Sequence, residues 1–139
     1  MSKKPLILGI ESSCDETAAS LITENEEGMP IILANIVSSQ INVHKKFGGV
    51  VPELAARSHI DKIDWIVKKA IEESGRNIEE IDAVASTAGP GLIVCLSVGL
   101  SFGKAFASTI NKPFIAVNHL EGHALSPKLN SKINYPYLL

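Results

Sequence analysis

Short apolar runs separated by polar turns dominate the first third of the chain. Leu6 to Ile10 is an apolar run of the length expected for a buried strand. The polar stretch from Glu11 to Glu16 predicts a turn, and Thr17 to Thr23 is apolar and β-prone, a second strand. Asn25 to Pro30 is a cluster of turn formers, and Ile31 to Val37 reads as a third strand. Three short strands joined by tight turns predict an antiparallel meander.

The pattern then changes period. Ser38 to Val51 is loop-like and carries His44, Lys45, Lys46 and the pair Gly48-Gly49. Pro52 suits the first turn of a helix, and Glu53 beside it suits the positive end of the helix dipole. Ile60, Ile63, Ile66, Val67, Ala70 and Ile71 recur at helical spacing, and Gly75 fits the position after a helix end. One helix from Pro52 to Ser74 is therefore expected. Asp82 to Thr87 predicts a strand, and Ala88 to Gly91 a turn. Leu92 to Ile110 predicts a helix that is apolar almost all round and hence buried, with Gly99 and Gly103 letting another element approach closely. Pro113 to Val117 is a fifth strand, followed by a helix that Pro127 ends or breaks. Tyr135 to Leu139 begins a further apolar run. The order β-β-β-α-β-α-β-α predicts an α/β fold, a mixed sheet with flanking helices.

Composition narrows the function classes. The chain has 139 residues, enough for one domain with a real core, and 45% of them are hydrophobic. The net charge of −2 gives no overall field that attracts nucleic acid. Cys14 and Cys95 are 81 residues apart and read as two free thiols of a reduced, cytoplasmic protein. The apolar run after Lys3 and Lys4 is short and meets Glu11 and Asp15, unlike a signal peptide. Leu92 to Gly103 is too short for a membrane span, which needs ~20 apolar residues.

Four segments carry candidate chemistry. His119 and His123 stand at i, i+4, so one helix face presents both imidazoles to a divalent metal ion. Two ligands are half of such a site. Zinc-protease motifs place Glu directly after the first His or directly before the second; Glu121 is at neither place. The turn Glu11-Ser12-Ser13-Cys14-Asp15-Glu16-Thr17 can cradle a phosphate, hold a metal or orient a water through Asp15 and Glu16, or it can be a plain solvated hairpin. Thr87-Ala88-Gly89-Pro90-Gly91 opens a helix, either as an anion site or as simple turn chemistry. Gly99 to Ala105 is not a P-loop, because the glycines are too close, Ala105 replaces the Ser or Thr that would ligate magnesium, and the run lies within a helix. Phe47 to His59 is a loop entering a helix, where Glu53 and Arg57 stand at pairing distance. Lys45, Lys46 and Arg57 read as solvated charges.

Taken together, the segments Ile7 to Ala18, Gly48 to His59, Thr87 to Gly91 and His119 to Pro127 resemble, in order, the signatures of the TsaD family. This is the transferase family of tRNA threonylcarbamoyladenosine synthesis, formerly known as O-sialoglycoprotein endopeptidase or glycoprotease. The resemblance implies the actin-like ATPase (ribonuclease H-like) fold, of which residues 1–139 would be the N-terminal subdomain, with the C-terminal subdomain absent. It implies transfer of threonylcarbamoyl from threonylcarbamoyl-adenylate to N6 of adenosine 37 in tRNAs that read ANN codons, with TsaB-like and TsaE-like partners. In the family an H-x-x-x-H pair binds iron or zinc, which matches His119 and His123. The third ligand is an aspartate of the C-terminal half. The family chain is more than twice as long, and its Ser-Gly-Gly loop would begin just past Leu139. The sequence is therefore expected to be an N-terminal piece, a split gene product or a truncated chain, inactive by itself. Competing readings are a TsaB-like dimerisation module without a catalytic metal, a fragment that binds TsaB without catalysing, and a nucleotide phosphotransferase of the same superfold.

Overall fold

The computed structural model describes residues 3–138. Strands β1 (Ile7–Glu11), β2 (Glu16–Glu24) and β3 (Pro30–Ser39) form the expected antiparallel meander. After the helical segment, β4 (Ala83–Gly89) and β5 (Phe114–Asn118) add parallel to β1, giving one mixed sheet in the order β3-β2-β1-β4-β5.

Alternation along the strands decides which face is covered. Leu8 and Ile10 of β1, Ala19 and Leu21 of β2, and Val84 and Ser86 of β4 are buried on one face. Helix α3 (Ile63–Ser74) packs on β2 and β3 there, and α4 (Ile93–Thr109) packs on β4 and β1. Ile66, Val67 and Ala70 of α3 meet Leu8, Leu21 and Val84 in the core. Burying a Val, Leu or Ile side chain in this way stabilises the fold by roughly 1.5–3 kcal/mol. The other sheet face carries Ile7, Gly9, Ser20 and Ala85. Among the described residues, α5 (His119–Leu125) and a 3-10 turn, Ser126–Leu129, that reaches β3 pack on this face. That leaves Val37 and Ile115 about half exposed.

Three expectations are corrected. Part of the loop expected from Ser38 is helical, with α1 (Ile41–His44) and a 3-10 turn, Lys45–Phe47. Its sequence carries no periodic apolar face because Ile41, Val43 and Phe47 all remain exposed. The single helix expected from Pro52 is two: α2 (Pro52–Ile60) and α3, broken at Asp61 and Lys62. In one continuous helix Ile60 would share the buried face of Ile63. The break instead lets α2 turn Ala55 and His59 inward while α3 addresses the sheet, and Ile60 is exposed. Finally, α4 is buried along one face only. Cys95, Leu96, Gly99, Gly103 and Ala107 are buried, whereas Ile93 is 77% exposed. Among the described residues α4 packs on the sheet beneath and on α2 beside it, which leaves its outer face to solvent.

Both glycines of α4 do admit a close approach. A Cβ at Gly99 would lie 2.6 Å from the Ser12 hydroxyl, and one at Gly103 would collide with the Ser86 hydroxyl. Ser12 Oγ donates to the Cys95 carbonyl (2.8 Å) and accepts from the Gly99 amide (2.9 Å). This clamps the helix to the turn after β1. The expected pairing of Glu53 with Arg57 is not among the ion pairs of the described residues. The apolar run from Tyr135 forms no regular element through Leu138, and Leu139 lies outside the described residues.

Candidate metal centre

The three parallel strands end at one edge of the sheet, where α/β folds place their ligands. Register sets the neighbours: Ile10 pairs with Ser86 and Thr87 with Val117. Glu11, Thr87 and the start of α5 therefore meet without any long-range loop. An open cleft of about 470 Å³ at this edge is lined by Glu11, Asp15, Glu16, Thr87, His119 and His123, among others.

Asn118 starts α5 as its N-cap, its side-chain oxygen accepting from the amides of Leu120 (2.9 Å) and Glu121 (3.2 Å). That fixes the first turn, so His119 and His123 project together. Their Nε2 atoms lie 3.2 Å apart, with the ring planes at 90°. Two nitrogens bound at ~2.0–2.1 Å to one tetrahedral ion are held ~3.3 Å apart. The spacing and the chemistry of two imidazole donors thus fit one divalent ion. Among the described residues no group of three His, Cys, Asp or Glu side chains is placed to hold a metal. Glu121 is exposed and lies outside the cleft lining, as its i+2 position predicts.

Behind the pair lies a carboxylate that the sequence did not single out as a site residue. Glu11 accepts a hydrogen bond from the Ser13 amide and another from the Thr87 hydroxyl (2.6 Å). Its Oε2 is also 3.8 Å from His119 Nδ1.

The hairpin turn with Asp15 and Glu16 is anchored from below. His59, fully buried, places Nδ1 2.8 Å from the Thr17 hydroxyl and 3.3 Å from Gln40 Nε2. Its Nε2 donates to the Cys14 carbonyl at 3.1 Å. Gln40, also buried, donates from its backbone amide to the Asp15 carbonyl (2.8 Å), and its side-chain oxygen meets His44 Nε2 at 3.1 Å. These contacts assign His59 as the Nε2–H tautomer. Burial holds its pKa below the ordinary histidine value, against the smaller opposing pull of the Cys14 carbonyl. His59 ends the second sequence signature, and a histidine on the inner face of an amphipathic helix was the signal available for it. Loss of hydration, then the Asp15 carboxylate, pushes the Cys14 thiol up, which argues against a thiolate nucleophile.

The four segments singled out in the sequence are therefore neighbours. Glu11 bonds to Thr87 and faces His119, and His59 bonds to Cys14.

The model of one protein family, TsaD: tRNA N6-adenosine threonylcarbamoyltransferase, matches residues 31–139. Over 139 residues the chain is 78% identical to a tRNA N6-adenosine threonylcarbamoyltransferase of Pelagibacter ubique (strain HTCC1062), covering all of this chain and 39% of that relative. It is 56% identical over 133 residues to the protein of the same description from Rickettsia canadensis (strain McKiel), covering 96% of this chain and 38% of that one. The chain thus spans less than two fifths of the length of these curated relatives. Among solved structures it is similar to YeaZ from Pseudomonas aeruginosa, with a TM-score of 0.61 and 17% identity over 88% of this chain and 49% of that one. It is also similar to T. thermophilus RuvC in complex with Holliday junction substrate, with a TM-score of 0.56 and 14% identity over 89% of this chain and 73% of that one. At such identities the likeness concerns the fold alone, an α/β fold with a mixed sheet and flanking helices, as expected from the sequence. No helix of the described residues is long and apolar enough to cross a membrane.

Proposed function

The chain belongs to the TsaD family of tRNA N6-adenosine threonylcarbamoyltransferases, and on that premise we propose that it supplies the metal-holding part of a threonylcarbamoyl transfer site. The donor would be threonylcarbamoyl-adenylate and the acceptor N6 of adenosine 37 in tRNAs that read ANN codons. The observation that carries this reading is the convergence of His119 and His123 Nε2 at the strand edge shared with Glu11 and Thr87.

In this reading His119 and His123 would hold one iron or zinc ion, and an aspartate outside these residues would be the third ligand. When bound, the ion supplies Lewis-acid polarisation of the carbamoyl carbonyl. The adenosine N6 amine attacks that carbonyl carbon and AMP leaves. The attacking amine sheds a proton, and Asp15 and Glu16 are carboxylates on the cleft wall suited to order the water or accept that proton. Thr87 lines the cleft, and the amides at the turn that opens α4 would receive the phosphate of the donor. TsaB-like and TsaE-like proteins and tRNA are the partners of the working enzyme, which acts in the cytoplasm. The second half of the site lies beyond these residues, so the chain alone should not turn over.

The test is a threonylcarbamoyl transfer assay on the enzyme that contains these residues together with the remaining polypeptide. Replacing His119 and His123 together with Ala should abolish both metal retention and tRNA modification. Normal modification by that double variant, or turnover by residues 1–139 alone, would overturn the reading.

A further inference from the structure

The geometry points to Glu11 as a positioning residue that sets the tautomer of His119 and thereby aims its Nε2 lone pair at the metal. The inference rests on the metal reading above and concerns a residue that does not itself reach the ion.

His119 uses Nε2 in the pair with His123, which leaves Nδ1 on the far side of the ring. That nitrogen faces Glu11 Oε2 at 3.8 Å, a gap that a small rotation would shorten to a hydrogen bond. The carboxylate is not free to swing. The Ser13 amide donates to Oε1, and the Thr87 hydroxyl donates to Oε2 at 2.6 Å. Both donors are fixed by the fold, since Ser13 is buried in the turn after β1 and Thr87 lies on the neighbouring strand β4. Glu11 itself is about one-third exposed and His119 about one-quarter, so water screens the contact only in part.

A negative oxygen beside Nδ1 favours the Nδ1–H form and leaves Nε2 as the lone-pair nitrogen. Metal-ligating histidines commonly donate their second N–H to a carboxylate in this way, which fixes ring orientation and raises ligand basicity. Without metal, His123 then carries Nε2–H and donates across the 3.2 Å gap to His119 Nε2. To offer both Nε2 atoms to an ion, His123 would have to carry its proton on Nδ1 instead, whereas His119 would need no change. The two histidines are thus unequal: His119 is prepared for the ion and His123 must be switched.

A role confined to the turn makes different predictions. If Glu11 only caps the Ser13 amide and the Thr87 hydroxyl, Gln in its place keeps an acceptor oxygen and should leave the histidines unaffected. If Glu11 positions His119, Gln presents an N–H where an acceptor is needed, which favours the wrong tautomer.

The experiment compares the 139-residue chain with its Glu11→Gln, Thr87→Val and Thr87→Ser variants. Imidazole ¹⁵N shifts of the metal-free protein report the tautomers, and competition with a chromophoric chelator reports Co²⁺ affinity. Wild type and Thr87→Ser should show His119 as Nδ1–H. Glu11→Gln should show loss of that form and a Co²⁺ affinity lower by about 10–100-fold, with an unchanged far-UV spectrum. Thr87→Val, which unties the carboxylate without removing it, should fall between. A Glu11→Gln chain with the wild-type tautomer and affinity overturns the proposal. The double His119→Ala, His123→Ala variant separates the two readings. If it takes up Co²⁺ as wild type does, the metal reading fails. If it does not, while Glu11→Gln matches wild type, only the role of Glu11 fails.

Discussion

His59 Nε2 donates to the Cys14 carbonyl at 3.1 Å, and this one bond joins helix α2 to the turn that carries Asp15 and Glu16. The ring is fully buried and also meets Thr17 and Gln40, so it is a neutral polar peg beneath the cleft floor. Replacing His59 with Leu would leave the Thr17 hydroxyl and the Cys14 carbonyl without this partner, and the Gln40 amide with only the Ala55 carbonyl at 3.4 Å. The expected loss is about 1–3 kcal/mol for each buried group left unsatisfied. Urea unfolding of the chain measures it.

The same residue gives a pH signature. Its folded pKa lies below the unfolded value of about 6.5. Below that value the unfolded chain binds a proton that the native ring refuses, so unfolding is favoured. The contribution of His59 is present in full above about pH 6.5 and is lost as the pH falls from there toward the folded pKa. The stability difference between about pH 7.5 and about pH 5 should be smaller in His59→Gln than in the wild-type chain. An equal difference would mean that the carboxylates alone govern the acid limb.

The glycines of α4 should behave unlike the glycine of α5. Gly99→Ala drives a methyl against the Ser12 hydroxyl, and Gly103→Ala against the Ser86 hydroxyl. Each should cost about 1–3 kcal/mol. Gly122→Ala meets nothing within 4 Å and should stay within about 0.5 kcal/mol of wild type. Denaturant midpoints of the three variants rank them.

Gly75 ends α3 at φ +67°, in the left-handed region. Ala there should destabilise the chain by about 1–2 kcal/mol although open space surrounds the position. Asn, which tolerates this conformation better, should recover part of the loss.

Asp15→Asn and Glu16→Gln should leave Co²⁺ uptake by the His119–His123 pair intact, because neither carboxylate forms a three-donor cluster with the pair. The same changes should lower the transfer rate in the intact enzyme if these groups order water or take the proton. Full activity in both variants would move that role elsewhere.

How legible each feature was depends on the range of the interaction that creates it. The five strands and the glycine contacts of α4 follow from short apolar runs and small residues at fixed spacing, which are local. The break between α2 and α3 was not legible, because Ile60 keeps helical spacing with Ile63 yet is turned out by packing on two different surfaces. Glu11 belongs to the first signature, but its residue type and spacing pointed to no role. Only the parallel register of β1 with β4 puts its carboxylate beside Thr87 and within reach of His119. Gln40 and His44 gave no signal at all, since a polar residue in a loop-like stretch has the same pattern whether solvated or buried.

Local sequence sufficed for the five strands, the helical segments that begin near Pro52, Leu92 and His119, the α/β class, the histidine pair on one helix face, and the family. Each rests on periodicity, capping chemistry or ordered motifs that neighbouring residues settle among themselves. Packing in three dimensions was needed to bring three of the motifs to one strand edge, to set Glu11 behind His119, and to prop the turn of Asp15 and Glu16 on His59. Those relations join residues tens of positions apart, and strand register with the burial of polar partners sets them.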